Sequence, residues 1–270
     1  MSDPKLLTWI GLALVGFLVG GFGTLIGAGG GFILMPLLIL LYPEESPEIL
    51  ASISLAVVFF NATSGSIGYA VQRRIAYRSG LAFSAAAVPG AIIGAFTTAT
   101  LPRDVFDIIL GVMLIAASAF LGYSSQRKNM DDEPTLDPDQ TLHTHRVKYA
   151  TERGTVISFF VGFVSSLLGI GGGIIHVPAL VVMLRFPVHV ATATSHFVLA
   201  LTAAAGTGVH IANGTFIHGW RRTLALGIGV VIGAQIGARM ARRTRPTFII
   251  RGLACALALA GLRIVYAALH

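Results

Sequence analysis

The sequence contains very little charge. Of its 270 residues only 11% are charged and 54% are hydrophobic, and the mean hydropathy is +0.79. Soluble domains usually carry about 25% charged residues, so this chain lacks the polar side chains that a water-facing surface of its size needs. The shortage excludes a soluble globular domain. It predicts an all-α polytopic membrane protein, because helices satisfy their own backbone hydrogen bonds in lipid.

Cysteine and the usual catalytic or metal-binding motifs are scarce too. The single cysteine, Cys255, excludes an intrachain disulfide. No Asp or Glu lies deep in an apolar segment, which argues against a carboxylate-based proton antiporter. No H-E-x-x-H motif is present, which argues against a metallohydrolase. His143 and His145 allow a metal site, but an exposed pair in a charged connector is the simpler interpretation. We therefore predict no enzyme, no metal site and no cofactor.

The formal net charge of +7 does not indicate nucleic-acid binding. The basic residues form short clusters between apolar runs, as membrane topology requires, and they are not interleaved with the aromatic residues that stack single-stranded bases. We expect no nucleic-acid partner. The expected partners are the lipid bilayer and a small anionic substrate, and the sequence is also compatible with a homo-oligomer.

Long apolar segments fill most of the chain, and a spanning helix needs about 20 such residues. Seven segments contain no charged residue and an eighth is largely apolar: 6–42, 49–72, 79–102, 108–126, 154–184, 186–220, 223–238 and 247–269. Two of them, 6–42 and 154–184, are too long for one helix and are broken by glycines. Each predicts either two membrane-embedded helices or one interrupted crossing.

These two glycine-broken segments reveal an internal repeat. Leu25 to Gly31 reads LIGAGGG and is followed by Pro36; Leu167 to Gly173 reads LLGIGGG and is followed by Pro178, always 142 positions later. Further matches follow in the same order. Ser54 and Gly65 correspond to Ser195 and Gly206, Pro89 to Ala95 corresponds to Ile232 to Ala238, and Pro102 corresponds to Pro246. Four landmarks in one order indicate a duplication.

The duplication divides the chain into three parts. We predict a first transmembrane repeat at 1–122, a charged cytoplasmic connector at 123–153 and a second transmembrane repeat at 154–270. Five membrane-embedded elements per repeat would invert the second copy, whereas four would leave the copies parallel. Inversion keeps Arg239, Arg242, Arg243 and Arg245 on the cytoplasmic side with Arg73, Arg74 and Arg78. It leaves Arg221 and Arg222 outside, and it is the arrangement we expect.

The glycine runs predict where a substrate would bind. About 12 apolar residues follow each run, which is enough helix for about half a bilayer. Short or glycine-interrupted segments at corresponding places in two halves are typical of transporter binding sites, and helix amino ends attract anions. The predicted site glycines are Gly27, Gly29, Gly30, Gly31, Gly169, Gly171, Gly172 and Gly173. Alternatively, these glycines only allow close helix packing, which is our interpretation of Gly16, Gly20, Gly90, Gly94, Gly229, Gly233 and Gly237.

Few other polar side chains lie at membrane depth. Those predicted to contact the substrate are Ser54, Asn61, Thr63, Ser64, Thr194, Ser195 and His196. Their hydroxyl, amide and imidazole groups can donate hydrogen bonds to an anion, or they can join neighbouring helices. His176 and His196 either couple transport to protons or remain neutral and structural.

The doubled motif L-x-G-x-G-G-G, with a proline five residues later, resembles that of the TauE/SafE family of membrane proteins, the sulfite exporter family. The resemblance covers nearly the whole chain outside the connector. It implies a carrier of sulfite and small organosulfur anions in the bacterial inner membrane, and it assigns the family's motif glycines to Gly27, Gly29, Gly30 and Gly31 and to Gly169, Gly171, Gly172 and Gly173. Ala28 stands where the second copy has Ile170, which departs from strict symmetry.

Together these observations predict an alternating-access exporter of small organosulfur, sulfite-type or carboxylate anions. An anion channel and a non-transporting membrane scaffold are the competing functions.

Overall fold

The computed structural model describes residues 4–126, 145–184, 186–241 and 247–269. Within these ranges the regular secondary structure is entirely helical. The predicted all-α class is therefore confirmed.

Among the described residues, each predicted repeat contains five α-helices. The first has α1 (Pro4–Ile26), α2 (Gly31–Leu41), α3 (Pro47–Val71), α4 (Tyr77–Thr98) and α5 (Arg103–Gln126). The second has α6 (His145–Leu168), α7 (Gly173–Pro178), α8 (Val188–Ala212), α9 (Trp220–Met240) and α10 (Thr247–Leu269). A π-helical turn, Ala179–Met183, continues α7, and a short 3-10 helix, Thr215–His218, precedes α9. Helix α2 and the combined α7 and π-helical turn occupy matching positions in the two halves.

Five of the described helices are long and apolar enough to cross a membrane: Leu7–Ile26, Pro47–Val71, Tyr77–Thr98, Val188–Ala212 and Trp220–Met240. Large apolar side chains cover their outer faces, as Leu14 and Ile228 show with exposed fractions of 59% and 63%. Water would not tolerate so much exposed apolar surface, whereas lipid does. The chain is a multi-pass membrane protein.

Helices of one half pack mainly against helices of the other half. Helix α1 packs along α9, and α4 packs along α6, while α3 crosses α8 and α5 packs on α10. The first two pairs run parallel, because Gly16 faces Leu226 while Gly20 faces Val230, and Gly90 faces Phe159 while Gly94 faces Phe163. Corresponding helices of the two halves instead run antiparallel: Leu55 of α3 faces Gly206 of α8, and His196 of α8 faces Gly65 of α3.

Glycines bring the two parallel pairs into close contact. A Cβ atom at Gly16, Gly90, Gly94, Gly229 or Gly233 would overlap a backbone carbonyl of the partner helix. The packing interpretation of these five glycines is confirmed, as it is for Gly20 and Gly237, which meet Val230 and Gly21 in the same way.

The predicted connector is described only at its two ends. Residues 123–126 belong to α5 and residues 145–153 to α6. Residues 127–144, with His143, lie outside the described residues, as do Arg242, Arg243 and Arg245.

Candidate functional site

Two glycine loops interrupt the helices in the middle of the protein. They comprise residues 27–30, between α1 and α2, and residues 169–172, between α6 and α7. The backbone turns in the left-handed region at Gly27, Gly29 and Gly30 and again at Gly169 and Gly171, with φ between 65° and 85°. Residues with a side chain rarely adopt this conformation, so the glycine runs set where each long helix ends.

Both loops lie at half the height of the central helices. Gly29 and Gly171 each contact Val58 and Leu199, which are the middle residues of α3 and α8. The loops also touch one another: a Cβ atom at Gly31 would overlap the Ile170 carbonyl, and one at Gly173 would overlap the Gly27 carbonyl. The two short helices therefore begin side by side, close to the centre of the molecule.

A small cavity opens beside the second loop. Its volume of about 10 Å³ is enough for about one water. Helices α4, α6, α7 and α8 form its walls, and its polar lining consists of Ser158, Ser165, His176, Ser195 and Thr202, beside Gly172 and Gly173. Among the side chains predicted for the site, only Ser195 lines this cavity.

Two side chains in the cavity wall are joined by a hydrogen bond. The Ser158 hydroxyl donates to the Gly154 carbonyl at 2.6 Å and lies 3.1 Å from Nε2 of His176. Since Ser158 has a single hydrogen, which goes to Gly154, Nε2 of His176 carries a hydrogen and donates it to Ser158. The edge of the Phe83 ring supports the imidazole from α4, with the ring centroids 5.8 Å apart. His176 is thus fixed in orientation.

Ser195 has no hydrogen-bond partner among the described residues. Its side chain is almost fully buried, with 1% of its surface exposed. An unpaired buried hydroxyl costs free energy unless a ligand or a water completes its bonding. Thr202, by contrast, donates to carbonyls of its own helix, at Val198 and Leu199.

Asn61 and His196 lie in a separate buried cluster, at the end of α1. The Thr24 hydroxyl donates to Oδ1 of Asn61 at 2.9 Å, so it accepts from Nε2 of His196, 3.3 Å away. Tyr69 closes the cluster by donating to the Thr24 carbonyl at 2.7 Å. Nδ2 of Asn61 has no partner among the described residues. The structure therefore brings Asn61 and His196 together, apart from the cavity.

Three of the other predicted side chains bond backbone groups of neighbouring segments. Ser54 donates to the Gly169 carbonyl and so joins α3 to the second glycine loop. Ser64 donates to the Val231 carbonyl at 2.8 Å, and Thr194 accepts from the backbone N–H of Ala76 at 3.1 Å. Thr63 is half-buried.

Sequence reasoning missed Ser158, Ser165, Thr24 and Tyr69. The internal repeat held a signal for the two serines. Ser158 and Ser165 lie 142 positions after Gly16 and Gly23, so at these two positions the halves carry side chains of different polarity and size. That difference becomes meaningful only once the two positions are known to face a cavity.

Comparison with known proteins supports the resemblance. The family model described as "Sulfite exporter TauE/SafE" matches residues 12–264. The "Probable membrane transporter protein YunE" of Bacillus subtilis (strain 168) is 29% identical, with 96% of this chain and 98% of that protein covered. A "Probable membrane transporter protein" of Methanocaldococcus jannaschii is 25% identical, with 93% of each chain covered. No solved structure matches significantly. The chain belongs to the TauE/SafE family of membrane transporters.

Proposed function

We propose that this protein is a secondary transporter that exports a small organosulfur, sulfite-type or carboxylate anion across the bacterial inner membrane by alternating access. One observation carries the proposal: two short helices begin at unwound glycine loops that touch at mid-height. Unwound backbone at membrane depth survives where it is buried in protein or lines a wet cavity. Paired interruptions of this kind mark binding sites in transporters built from repeats.

The glycine loops supply positive potential without a basic side chain. The first turn of a helix has backbone N–H groups without helical partners, and its amino end carries about half a positive charge. The unpaired hydroxyl of Ser195 lies in the same region. Neutral donors of this kind suit a small anion, which must be held strongly enough to bind and weakly enough to be released.

Alternating access in this proposal rests on inverted repeats. Five elements in each half, antiparallel α3 and α8, and antiparallel α5 and α10 are the features expected of a pseudo-two-fold axis in the membrane plane. Gln72, beside the Arg73–Arg74 turn, donates to the Ala238 carbonyl near the end of α9, which supports basic loops on one, cytoplasmic side. Rocking one half against the other would expose the central loops to each side in turn.

Export of an anion needs no buried carboxylate. In a cell that is negative inside, one negative charge moves outward downhill by about 2.3 kcal/mol per 100 mV. The membrane potential alone could therefore drive transport.

A vesicle assay tests the proposal. Purified protein in liposomes should catalyse counterflow of radiolabelled sulfite or sulfoacetate, and net efflux should increase when the interior is made negative. Anion currents without counterflow would instead identify a channel. Absence of both saturable binding and flux for sulfite, sulfoacetate, thiosulfate and short carboxylates would favour the scaffold function and end the proposal.

A further inference from the structure

The cavity wall differs from the matching region of the first half. Three of its polar side chains, Ser158, Ser165 and His176, correspond across the repeat to Gly16, Gly23 and Leu34. A Cβ atom at Gly23 would overlap the backbone of Gly30. In the first half, α1 therefore packs directly against the start of α2 and fills the space.

In the second half the start of α7 faces side chains of α6 instead. A Cβ atom at Gly172 would meet Cγ1 of Val161 at 2.5 Å and Cβ of Ser165 at 3.2 Å, so Ser165 stands where the first half has the bare backbone of Gly23. The cavity lies beside this contact, with Ser195 and His176 in its wall. The two matching regions of the duplicated fold thus differ in packing and in the residues that line them.

The cavity also lies toward the basic side of the membrane. From the central loop, α7 leads to the start of α8, where His189 lies close enough to Arg74 to interact electrostatically. Arg73, Arg74 and Arg78 place this side in the cytoplasm. An exported substrate would enter from that side.

From these observations we infer that the anion binds in a single asymmetric site in the second half, beside residues 169–172, where the one-water cavity widens to admit it, with the Ser195 hydroxyl as a direct donor and His176 as part of the wall. The inference rests on the proposed transport function and deepens it. The mirrored position in the first half is then a packing contact that binds no anion. In the occupied site the anion accepts the hydrogen for which the Ser195 hydroxyl has no acceptor among the described residues.

The test compares sulfite binding to purified full-length variants in detergent by calorimetry. Ser195→Ala removes only an unpartnered hydroxyl, so we expect an unchanged melting temperature and sulfite affinity weakened by about tenfold to a hundredfold, the usual effect of losing a hydrogen bond to a charged group. His176→Leu installs the residue that the first half has at Leu34 and should weaken binding similarly. His176→Gln keeps a polar side chain and should recover part of the affinity.

The matched control is Ser52→Ala. Ser52 is a fully buried serine of α3 whose hydroxyl is satisfied by the Ile49 carbonyl of its own helix, and this variant should bind sulfite like the wild type. Wild-type affinity in Ser195→Ala and in both His176 variants would overturn the inference, even where the parent protein transports sulfite. If the parent protein binds and transports no anion at all, the proposed function itself fails.

Discussion

The two glycine loops share one sequence pattern and one position in the fold, yet their surroundings differ. The first is closed by backbone hydrogen bonds, from Gly27 to Thr24 and from Ala28 and Gly29 to Gly23, and Gly30 before α2 is left-handed. In the second, Gly172 before α7 is already helical and borders a polar cavity. A duplication can therefore keep its architecture while the packing around its two copies diverges.

The largest expected loss of stability concerns the contact between the two loops. Gly31→Ala and Gly173→Ala each place a methyl group against a backbone carbonyl of the opposite loop. Backbone cannot move aside as a side chain can, so each change should cost about 3 kcal/mol or more, at or above the upper end of overpacking. Thermal unfolding in detergent measures the loss.

Gly208→Ala is the control, because a Cβ atom there meets no atom within 4 Å. It should leave stability nearly unchanged. Normal stability of both loop variants would show that the two loops do not touch, and would contradict the contact that they share.

A second pair of changes tests the difference between the halves directly. Gly23→Ala should destabilise the protein by about 3 kcal/mol, because the methyl group overlaps the Gly30 backbone. Ser165→Ala, at the corresponding position, keeps the Cβ atom and should cost less than about 1 kcal/mol. Equal losses in denaturant unfolding would contradict the asymmetric packing.

Ser54→Ala should have an intermediate effect. Removing this hydroxyl leaves the buried Gly169 carbonyl without its donor, which costs about 1–2 kcal/mol. Ser195→Ala, at the corresponding position of the second half, should cost nothing by the same measurement. A stability loss in Ser195→Ala as large as that in Ser54→Ala would mean that both serines are structural.

A small effect is expected at the start of α9. Arg222 pairs with Glu45 at 2.8 Å and covers the Tyr42 ring at 4.0 Å, but both partners of the ion pair are partly exposed. Arg222→Ala should therefore lower stability by less than about 1 kcal/mol. Raising the salt concentration should narrow the difference in melting temperature between variant and parent; a difference that widens with salt would exclude the ion pair as its cause.

Much of this fold could be predicted from the sequence. A glycine run breaks the helix in which it stands, and a charge-free segment forms a spanning helix from its own residues. The breaks after Ile26 and Leu168 were expected from the glycines, and α3, α4 and α9 occupy the expected apolar segments. The pairing of α1 with α9 and of α4 with α6 was not predicted, since close helix contacts depend on which glycine faces are brought together.

The candidate site was predictable only in part. Gly27 to Gly31 and Gly169 to Gly173 do meet at mid-height, because helix breaks of equal depth in two related halves fall at equal heights. The side chains were harder to assign, since a buried serine looks the same in the sequence whether it bonds a carbonyl, as Ser54 does, or lacks a partner, as Ser195 does. Three-dimensional contacts separate the two cases.

The packing of helices between the two halves has a consequence for biosynthesis. The glycine-lined face of α1 has its partner in α9, which leaves the ribosome about two hundred residues later. Until then α1 must remain in the bilayer with lipid against that face, and a chain that stops after α5 would contain helices without their neighbours. Assembly is therefore a late event, and the amino-terminal half alone should be a target for membrane quality control rather than a working module.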